Sequence, residues 1–177
     1  AFSVDGVEEY TPQLLSLREF RQCEARLRDL TDMRIRAMDE GELEMSVLSA
    51  TSPSIQGIRD PAIEAETAKR WNDYVAEAIS GHTDRLRAFA CLPMRDPQAA
   101  IAELQRAVKE LGLVGAMING YDNAGGAAPI YYDAPEYLDF WKAAEALGVP
   151  VYLHPRTVPD DRETTYKPYP ELKGSAW

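Results

Sequence analysis

The stretch APEYLDFWKAAEALGVPVYLHPR, residues 134–156, decides the class of fold. Its first part, Pro135 to Leu147, has the spacing of an amphipathic helix, and Gly148 follows as a common helix terminator. The run VPVYL, residues 149–153, then has the length and composition of a buried strand that ends at His154. A helix that leads directly into an apolar strand is typical of a βαβ unit, so this stretch predicts a parallel sheet.

The same alternation of strand and helix runs along the whole chain. The patterns predict strands at residues 44–50, 85–92, 113–119 and 149–153, all as continuous apolar runs of the kind found in parallel strands buried on both faces. Helices are predicted at residues 17–40, 62–80, 97–111 and 135–147. Pro61 precedes the second helix, and Asp96-Pro97 forms an N-cap and first position for the third. We therefore predict an α/β fold in a single domain over residues 1–177.

Two architectures accommodate four parallel strands: an open doubly wound sheet and part of a (β/α)₈ barrel. The glycine fingerprint of nucleotide-binding doubly wound sheets follows none of the predicted strands. Polar residues instead stand at or just after the carboxyl end of each strand, namely Thr51 with Ser52, Cys91, Asn119 and His154. Polar groups that converge at the carboxyl ends of parallel strands are typical of the active face of a barrel, so the barrel is favoured.

Charge and hydropathy exclude several classes of partner. The chain has 29 acidic and 19 basic residues, a net charge of −10, and no basic cluster, so we expect no nucleic-acid partner. The apolar runs are far shorter than the roughly 18 residues that span a bilayer, so we expect no membrane partner. The first ten residues lack the pattern of a signal peptide, and the chain has only two cysteines, which predicts a reducing, cytoplasmic location.

His154 is the sharpest candidate for chemistry. An imidazole at the carboxyl end of a barrel strand points into the cavity where a metal ion or a substrate lies, and it serves as a metal ligand or as an acid or base. A buried histidine that is hydrogen-bonded to a backbone carbonyl gives the same sequence pattern. Likewise, Thr51-Ser52-Pro53 fits a simple turn, and Asn119-Gly120 fits a left-handed backbone position. The residues alone leave these alternatives open.

Four elements of the sequence carry a resemblance to a known family. They are VLSATSPSIQ (47–56), INGYDN (118–123), YYDAPEYLDFWKAAEALGVPVYLHPR (131–156) and LKGSAW (172–177). Together they resemble the amidohydrolase-related decarboxylases of aromatic acids, which include γ-resorcylate, 2,3-dihydroxybenzoate and 5-carboxyvanillate decarboxylases and are grouped with aminocarboxymuconate semialdehyde decarboxylase. The likeness covers nearly the whole chain. It implies a (β/α)₈ barrel and a metal-dependent, non-oxidative carboxy-lyase that acts on a small hydroxylated aromatic acid.

The resemblance also implies a set of functional residues. In this family a divalent metal, zinc or manganese, is held by a glutamate of the first barrel strand, a histidine after the fifth and an aspartate near the eighth. His154, within His-Pro-Arg, matches the fifth-strand ligand, so it is predicted to be both a metal ligand and a catalytic residue. Thr51, Ser52 and Asn119 match positions that line the substrate pocket. Phe2 matches the phenylalanine that closes the family's first strand, and we expect these four residues to bind the substrate.

The chain also lacks elements that the family has. The metal-binding glutamate of the family falls just before Ala1, and the later elements Gly-His-x-Gly-Glu and Asp-Trp-Pro or Asp-Tyr-Pro are missing. The four predicted strands correspond to the family's second to fifth. A complete barrel needs about 250 residues, so we expect the chain to be a portion of a longer protein rather than one completed by another chain. We also expect a homo-oligomer, because the apolar faces of helices 18–40 and 62–80 exceed what four strands cover.

Two alternatives to a decarboxylase remain. The same barrel and ligands can activate water, which would make a metal-dependent hydrolase or hydratase. The chain by itself is alternatively a non-catalytic fragment or an interaction module. The second histidine, His82, lies between a predicted helix and strand and is expected on the surface. Cys91 is expected to be a small buried hydrophobic residue.

Overall fold

A computed structural model describes residues 25–50, 52, 54–122, 129–155 and 168. Four strands alternate with helices in this part of the chain, as the sequence predicts. The elements are α1 (Asp32–Glu40), β1 (Ser46–Leu48), α2 (Pro61–Ile79), β2 (Leu86–Ala88), α3 (Pro97–Lys109), β3 (Ala116–Asn119), α4 (Leu138–Leu147) and β4 (Val151–His154). Short 3₁₀ turns lie at Ser54–Gly57, Ser80–His82 and Pro135–Tyr137.

The strands follow one another across the sheet in chain order. β1 pairs with β2 and β3 pairs with β4, both in parallel. The two pairs are joined by a parallel bridge between Ala90 and Ala116, with hydrogen bonds from Ala90 N to Gly115 O (2.8 Å) and from Met117 N to Ala90 O (3.1 Å). A doubly wound sheet reverses its strand order at a switch point, whereas a barrel does not. The order β1-β2-β3-β4 therefore fits the barrel prediction.

The helices cover one face of this sheet. Alternate strand residues point toward the helices, as the period of two requires, and form a buried cluster with helix side chains. The cluster includes Leu86, Ala88, Ala90, Ala116 and Ile118 from the strand segments and Val75, Leu104, Ala107 and Phe140 from the helices.

The opposite face of the sheet, which we call the inner face, carries the strand residues that alternate with those of the buried cluster. It consists of Val47, Arg87, Phe89, Met117, Asn119, Tyr152 and His154. The Phe89 and Tyr152 rings stack with their centroids 6.5 Å apart, and the Tyr152 and His154 rings lie 6.3 Å apart, so these three side chains share the face. Val47 is 44% exposed and Tyr152 is 51% exposed. The inner face is thus uncovered at its two outer strands.

The helix predicted over residues 17–40 is wrong as one continuous element. Residues 25–28 are helical, residues 29–31 are not, and α1 begins at Asp32. The Asp29 carboxylate accepts hydrogen bonds from the backbone N–H groups of Thr31 (3.1 Å) and Met33 (3.0 Å). Such local bonds from an aspartate compete with the helical ladder, which explains the break. Residues 17–24 lie outside the described part.

The observed strands are shorter than the predicted ones. Residues 44–50 were expected to form a buried strand, but β1 spans only Ser46–Leu48, and of its three residues only Leu48 is buried. β2, β3 and β4 likewise cover only part of the predicted ranges 85–92, 113–119 and 149–153, and His154 is the last residue of β4 rather than the residue after it. Proline lacks a backbone N–H, so Pro93 and Pro150 cannot donate to the ladder at these strand ends.

Helix ends agree better with the predictions. The Asp96 side chain accepts hydrogen bonds from Gln98 N (2.9 Å) and Ala99 N (3.2 Å) at the start of α3, and Asp60 caps α2 in the same way. Gly148 adopts a left-handed φ of 66° and ends α4, where a side chain would be strained. Within the described ranges, every helix is too short or too polar to cross a bilayer.

Candidate functional site

Asn119 and His154 lie side by side at the carboxyl edge of the sheet. They are the last residues of β3 and β4 and are partners in the register of that pair. Since paired residues of parallel strands point to the same side, both side chains are on the inner face. The ladder continues one residue further, where Gly120 N donates to His154 O at 2.9 Å. Two of the polar residues predicted to converge therefore do so.

The His154 imidazole is half-buried and its tautomer follows from one contact. Its Nδ1 atom lies 2.7 Å from the carbonyl oxygen of Pro155. A carbonyl oxygen can only accept, so Nδ1 donates, and in the neutral ring this leaves the lone pair on Nε2. A backbone carbonyl that holds the Nδ1 proton is typical of histidines that bind a metal through Nε2. The arrangement suits a metal ligand, although a structural histidine makes the same contact.

Asn119 is fully buried and is held by Gln56. The Gln56 Oε1 atom accepts hydrogen bonds from Asn119 N (2.7 Å) and from Asn119 Nδ2 (3.0 Å), and its Nε2 atom lies 3.4 Å from Asn119 O. Gln56 Nε2 also donates to the hydroxyl group of Tyr132. Neither Asn119 nor Gly120 has a positive φ, so the left-handed interpretation of this pair is wrong. The asparagine is instead locked in place by a second carboxamide.

Cys91, the polar residue after β2, is a structural residue. It is buried, its Sγ atom lies 3.3 Å from Ser54 Oγ, and burial raises the pKa of its thiol to about 12. The thiol is therefore neutral, which confirms the prediction of a small buried hydrophobic residue. Asn72 pairs with both of its peptide groups: Cys91 N donates to Asn72 Oδ1, and Asn72 Nδ2 donates to Cys91 O, each at 2.9 Å.

A buried charged cluster connects the loops that follow β1, β2 and β3. Arg95 Nη2 lies 3.3 Å from Asp122 Oδ1, with both side chains almost wholly buried. The backbone N–H of Arg95 donates to Glu64 Oε2 at 3.4 Å, and its guanidinium donates to the carbonyl of Arg59. Burial is the main cause that raises the pKa of Glu64 to about 8, and the Asp122 charge adds to it, against the opposing effect of Arg95. Glu64 is therefore mostly protonated at neutral pH.

The remaining predicted site residues are only partly accounted for. Ser52 lies in a turn after β1 and is partly buried, whereas Thr51 and Phe2 lie outside the described residues. His82, expected on the surface, is partly buried in the turn after α2. No group of three or more His, Cys, Asp or Glu side chains that could hold a metal ion occurs among the described residues. Of the predicted ligand set, the described part thus contains His154.

Sequence reasoning missed Gln56, Asn72 and Glu64. Gln56 stands in a Ser/Pro-rich turn and the other two in an amphipathic helix, positions where polar residues are usually solvated. The run SIQGI, residues 54–58, contains one indication that Gln56 is buried, because an isoleucine stands on each side of it. Both isoleucines are buried in the structure.

Comparisons with known proteins identify the family of the chain. The sequence model of the amidohydrolase family matches residues 18–173. The chain is 43% identical over 162 residues to the gamma-resorcylate decarboxylase of a Polaromonas species, a match that covers 90% of this chain and 49% of the relative.

Solved structures give the same result. The crystal structure of a dihydroxybenzoic acid decarboxylase from a Polaromonas species, with bound manganese and the inhibitor 2-nitroresorcinol, matches with a TM-score of 0.83 and 40% identity over 92% of this chain and 49% of that one. A 2,6-dihydroxybenzoate decarboxylase complexed with 2,6-dihydroxybenzoate matches with a TM-score of 0.82 and 41% identity, covering 92% and 51%. The chain spans about half the length of these proteins. The predicted fold class, part of a (β/α)₈ barrel, is confirmed.

Proposed function

The chain belongs to the amidohydrolase family, as the resemblance predicted, and from that premise we propose that the protein is a divalent-metal-dependent, non-oxidative decarboxylase of a hydroxylated aromatic acid. The observation that carries the proposal is the pair formed by Asn119 and His154, in register at the carboxyl edge of β3 and β4. Ligands of barrel enzymes bind at this edge. The named relatives that match along nearly the whole chain are decarboxylases of dihydroxybenzoates.

We propose 2,6-dihydroxybenzoate as the first substrate to test. One similar structure contains this acid, and another contains 2-nitroresorcinol, in which a nitro group replaces the carboxylate between two hydroxyls. In the proposed reaction the bond between the ring and the carboxylate breaks, carbon dioxide leaves, and a proton takes its place on the same ring carbon. No oxidant or reductant is needed, because the electron pair of the broken bond stays on the ring and takes up the proton.

His154 is the proposed metal ligand of the described part. Its Nε2 atom carries the lone pair, since Nδ1 donates to Pro155 O, so the ring fits one ligand position. A tetrahedral or octahedral site needs further ligands, and the described residues contain no group of three or more His, Cys, Asp or Glu side chains that could hold the ion by itself. Manganese is favoured over zinc because a similar decarboxylase holds manganese. A bound ion of this kind acts as a Lewis acid and as a template for carboxylate and phenolic oxygens.

Asn119 is the proposed residue that orients the substrate. It is buried at the mouth beside His154, where a hydrogen bond between its carboxamide and a hydroxyl of the ring would fix the angle of the acid. Thr51, Ser52 and Phe2 remain proposed substrate contacts.

The single-domain boundary, a cytoplasmic location and a homo-oligomeric state also remain predictions. Gel filtration with light scattering measures the last of them.

The experiment is an assay in D₂O on the protein at its full natural length, loaded with Mn²⁺, with the 177-residue chain assayed beside it. We expect release of one carbon dioxide per 2,6-dihydroxybenzoate and resorcinol that carries one deuterium at the carbon between its hydroxyls. His154→Ala should abolish turnover, and His82→Ala, at the other histidine, should not.

Each other outcome counts against the proposal. A folded, manganese-loaded protein that leaves 2,6-dihydroxybenzoate and related hydroxybenzoates intact would favour the non-catalytic alternative. Incorporation of ¹⁸O from labelled water into the aromatic product would favour the hydrolase or hydratase alternative.

A further inference from the structure

Gln56 is a buried carboxamide that makes three of its side-chain hydrogen bonds to one residue, Asn119, and a further one to Tyr132. It lies in the 3₁₀ turn after β1, is 4% exposed, and is 63 positions away in sequence from Asn119. Buried polar groups are costly unless they are hydrogen-bonded, and glutamine is mostly found on the surface. A glutamine buried at this edge of the sheet therefore needs a reason beyond packing.

The bonds of Gln56 separate into two sets. Its Oε1 and Nε2 atoms pair with the peptide N–H and C=O of Asn119, much as a neighbouring strand would, while Oε1 also accepts from the Asn119 side chain. The first set holds the backbone at the end of β3. The second set holds the side-chain carboxamide itself. It fixes which end of that carboxamide faces Gln56, because only the Nδ2 end can donate to Oε1.

Asn72 shows what a carboxamide does when it has only the first set. It pairs with the peptide N–H and C=O of Cys91 in the same way, but its further bond goes to Glu103 Oε1 (2.7 Å) and not to the Cys91 side chain. The Cys91 thiol contacts Ser54 instead. Both carboxamides hold the backbone at the end of a strand. The bond from Asn119 Nδ2 to Gln56 Oε1 has no equivalent at Cys91, and it is the bond that orients the Asn119 side chain.

We propose that Gln56 is a positioning residue that holds the side-chain carboxamide of Asn119 in the orientation used to bind the aromatic acid. This inference rests on the proposed function, because it assigns to Asn119 a contact with the substrate. The peptide groups of Asn119 settle which end of the glutamine is the donor, because the N–H can only donate to Oε1 and the carbonyl can only accept from Nε2. Tyr132 completes the arrangement, since its hydroxyl accepts from Gln56 Nε2. Gln56 itself acts only through Asn119.

A double-mutant cycle tests the proposal on the full-length protein with 2,6-dihydroxybenzoate. Gln56→Ala should lower kcat/KM about 10- to 100-fold, the range expected when a binding group is misplaced by about 1 Å. In the Asn119→Ala background the same change should have less than about a 3-fold effect, because the group that Gln56 orients is gone. Equal effects in the two backgrounds would overturn the proposal.

Asn72→Ala is the matched control, since it cuts the equivalent pairing at Cys91. It should leave kcat/KM within about 3-fold at a temperature where the variant is folded. If it does not fold, Tyr137→Phe replaces it, because this change removes one buried hydrogen bond, to Met94 O, from the same layer. A control that loses as much activity as Gln56→Ala would show a merely structural effect and would contradict the positioning role.

Gln56→Glu tests the positioning role through the pH dependence of kcat, which a residue with only a packing role would not change. A protonated glutamic acid offers one acceptor and one donor, as glutamine does, whereas the carboxylate only accepts. The kcat of this variant should therefore fall as pH rises through the pKa of the new acid, relative to the parent protein. A constant ratio of the two kcat values across pH would count against the proposal.

A measurement without substrate keeps the two proposals distinguishable. In ¹H–¹⁵N spectra the side-chain NH₂ of Asn119 should exchange slowly with water in the parent protein and at least 10-fold faster in Gln56→Ala. Slow exchange that is lost in the variant, together with absence of decarboxylation, would refute the proposed function but support the inference that Gln56 holds the Asn119 side chain. Exchange that is unaffected by the substitution would refute that inference itself.

Discussion

Two strand ends in this molecule use the same device for different purposes. At the end of β2, the Asn72 carboxamide pairs with the peptide groups of Cys91, and at the end of β3, the Gln56 carboxamide pairs with those of Asn119. Both carboxamides, which we call the Asn72 and Gln56 clamps, belong to buried residues. In each case a side chain takes the part of a neighbouring strand at the point where the ladder stops, which satisfies backbone groups that would otherwise be buried without partners.

The two clamps differ in what they connect. Asn72 also donates a hydrogen bond to Glu103 in the helical layer. Glu103 forms an ion pair with Arg106, and Arg106 pairs with Asp73 at 2.6 Å. Gln56 instead binds the side chain of Asn119, next to His154 on the inner face. The first clamp therefore serves the stability of the fold, and we assign to the second a role in the site. The following predictions test that division, from the largest expected effect to the smallest.

Asn72→Ala should give the largest loss of stability. The peptide groups of Cys91 and the Glu103 carboxylate would lose a partner while remaining buried, and each such group costs about 1–3 kcal/mol. We expect the free energy of unfolding to fall by about 3–5 kcal/mol, measured by urea denaturation followed by circular dichroism. Ser80→Ala removes one exposed hydrogen bond and serves as the control, with an expected change below about 0.5 kcal/mol. A loss below about 1 kcal/mol in Asn72→Ala would mean that water replaces the clamp.

Glu64→Gln tests the charged cluster at the same edge, which, unlike the carboxamide clamps, depends on pH. The pKa of Glu64 rises from 4.5 to about 8 on folding. Between these values the folded protein binds more protons than the unfolded chain, so its free energy of unfolding decreases as pH rises from about 4.5 to about 8. Glutamine does not titrate. The variant should lack this part of the slope and be about 1–3 kcal/mol more stable than the parent at pH 8.

Urea titrations at several pH values measure this difference. Arg95 and Asp122 are the charged groups that face Glu64 in the cluster. Glu77→Gln, on the same helix, is the control and should keep the slope. A Glu64→Gln protein with the same dependence on pH as the parent would show that this carboxyl group is already ionised at neutral pH.

Asp96→Ala should have the smallest effect, because it removes a local cap and no long-range contact. Among the residues that the structure describes, the Asp96 carboxylate binds the N–H groups of the first turn of α3, and Asp60 does the same for α2. Loss of such a cap costs about 1 kcal/mol. We expect Asp96→Ala and Asp60→Ala to have equal effects on the urea midpoint. A loss of several kcal/mol in either variant would indicate a contact beyond the helix end.

These contrasts show which features a sequence reveals. The Asp96-Pro97 cap and the Gly148 terminator were predicted correctly because both act within one turn of helix. Asn119 and His154 were found because each ends an apolar run. Gln56 and Asn72 were missed because their partners lie 63 and 19 positions away, and no local pattern specifies such pairs. The break at Asp29 was missed because an apolar period continues through it.

The most direct test of the central claim, that the inner face at His154 binds the catalytic ion, is pulsed electron paramagnetic resonance of bound Mn²⁺. The full-length protein is labelled with ¹⁵N-histidine, of which residues 1–177 contain only His82 and His154. We predict a ¹⁵N coupling to manganese that persists in His82→Ala and loses one nitrogen in His154→Ala. A spectrum in which His154→Ala keeps every nitrogen coupling of the parent would contradict the account.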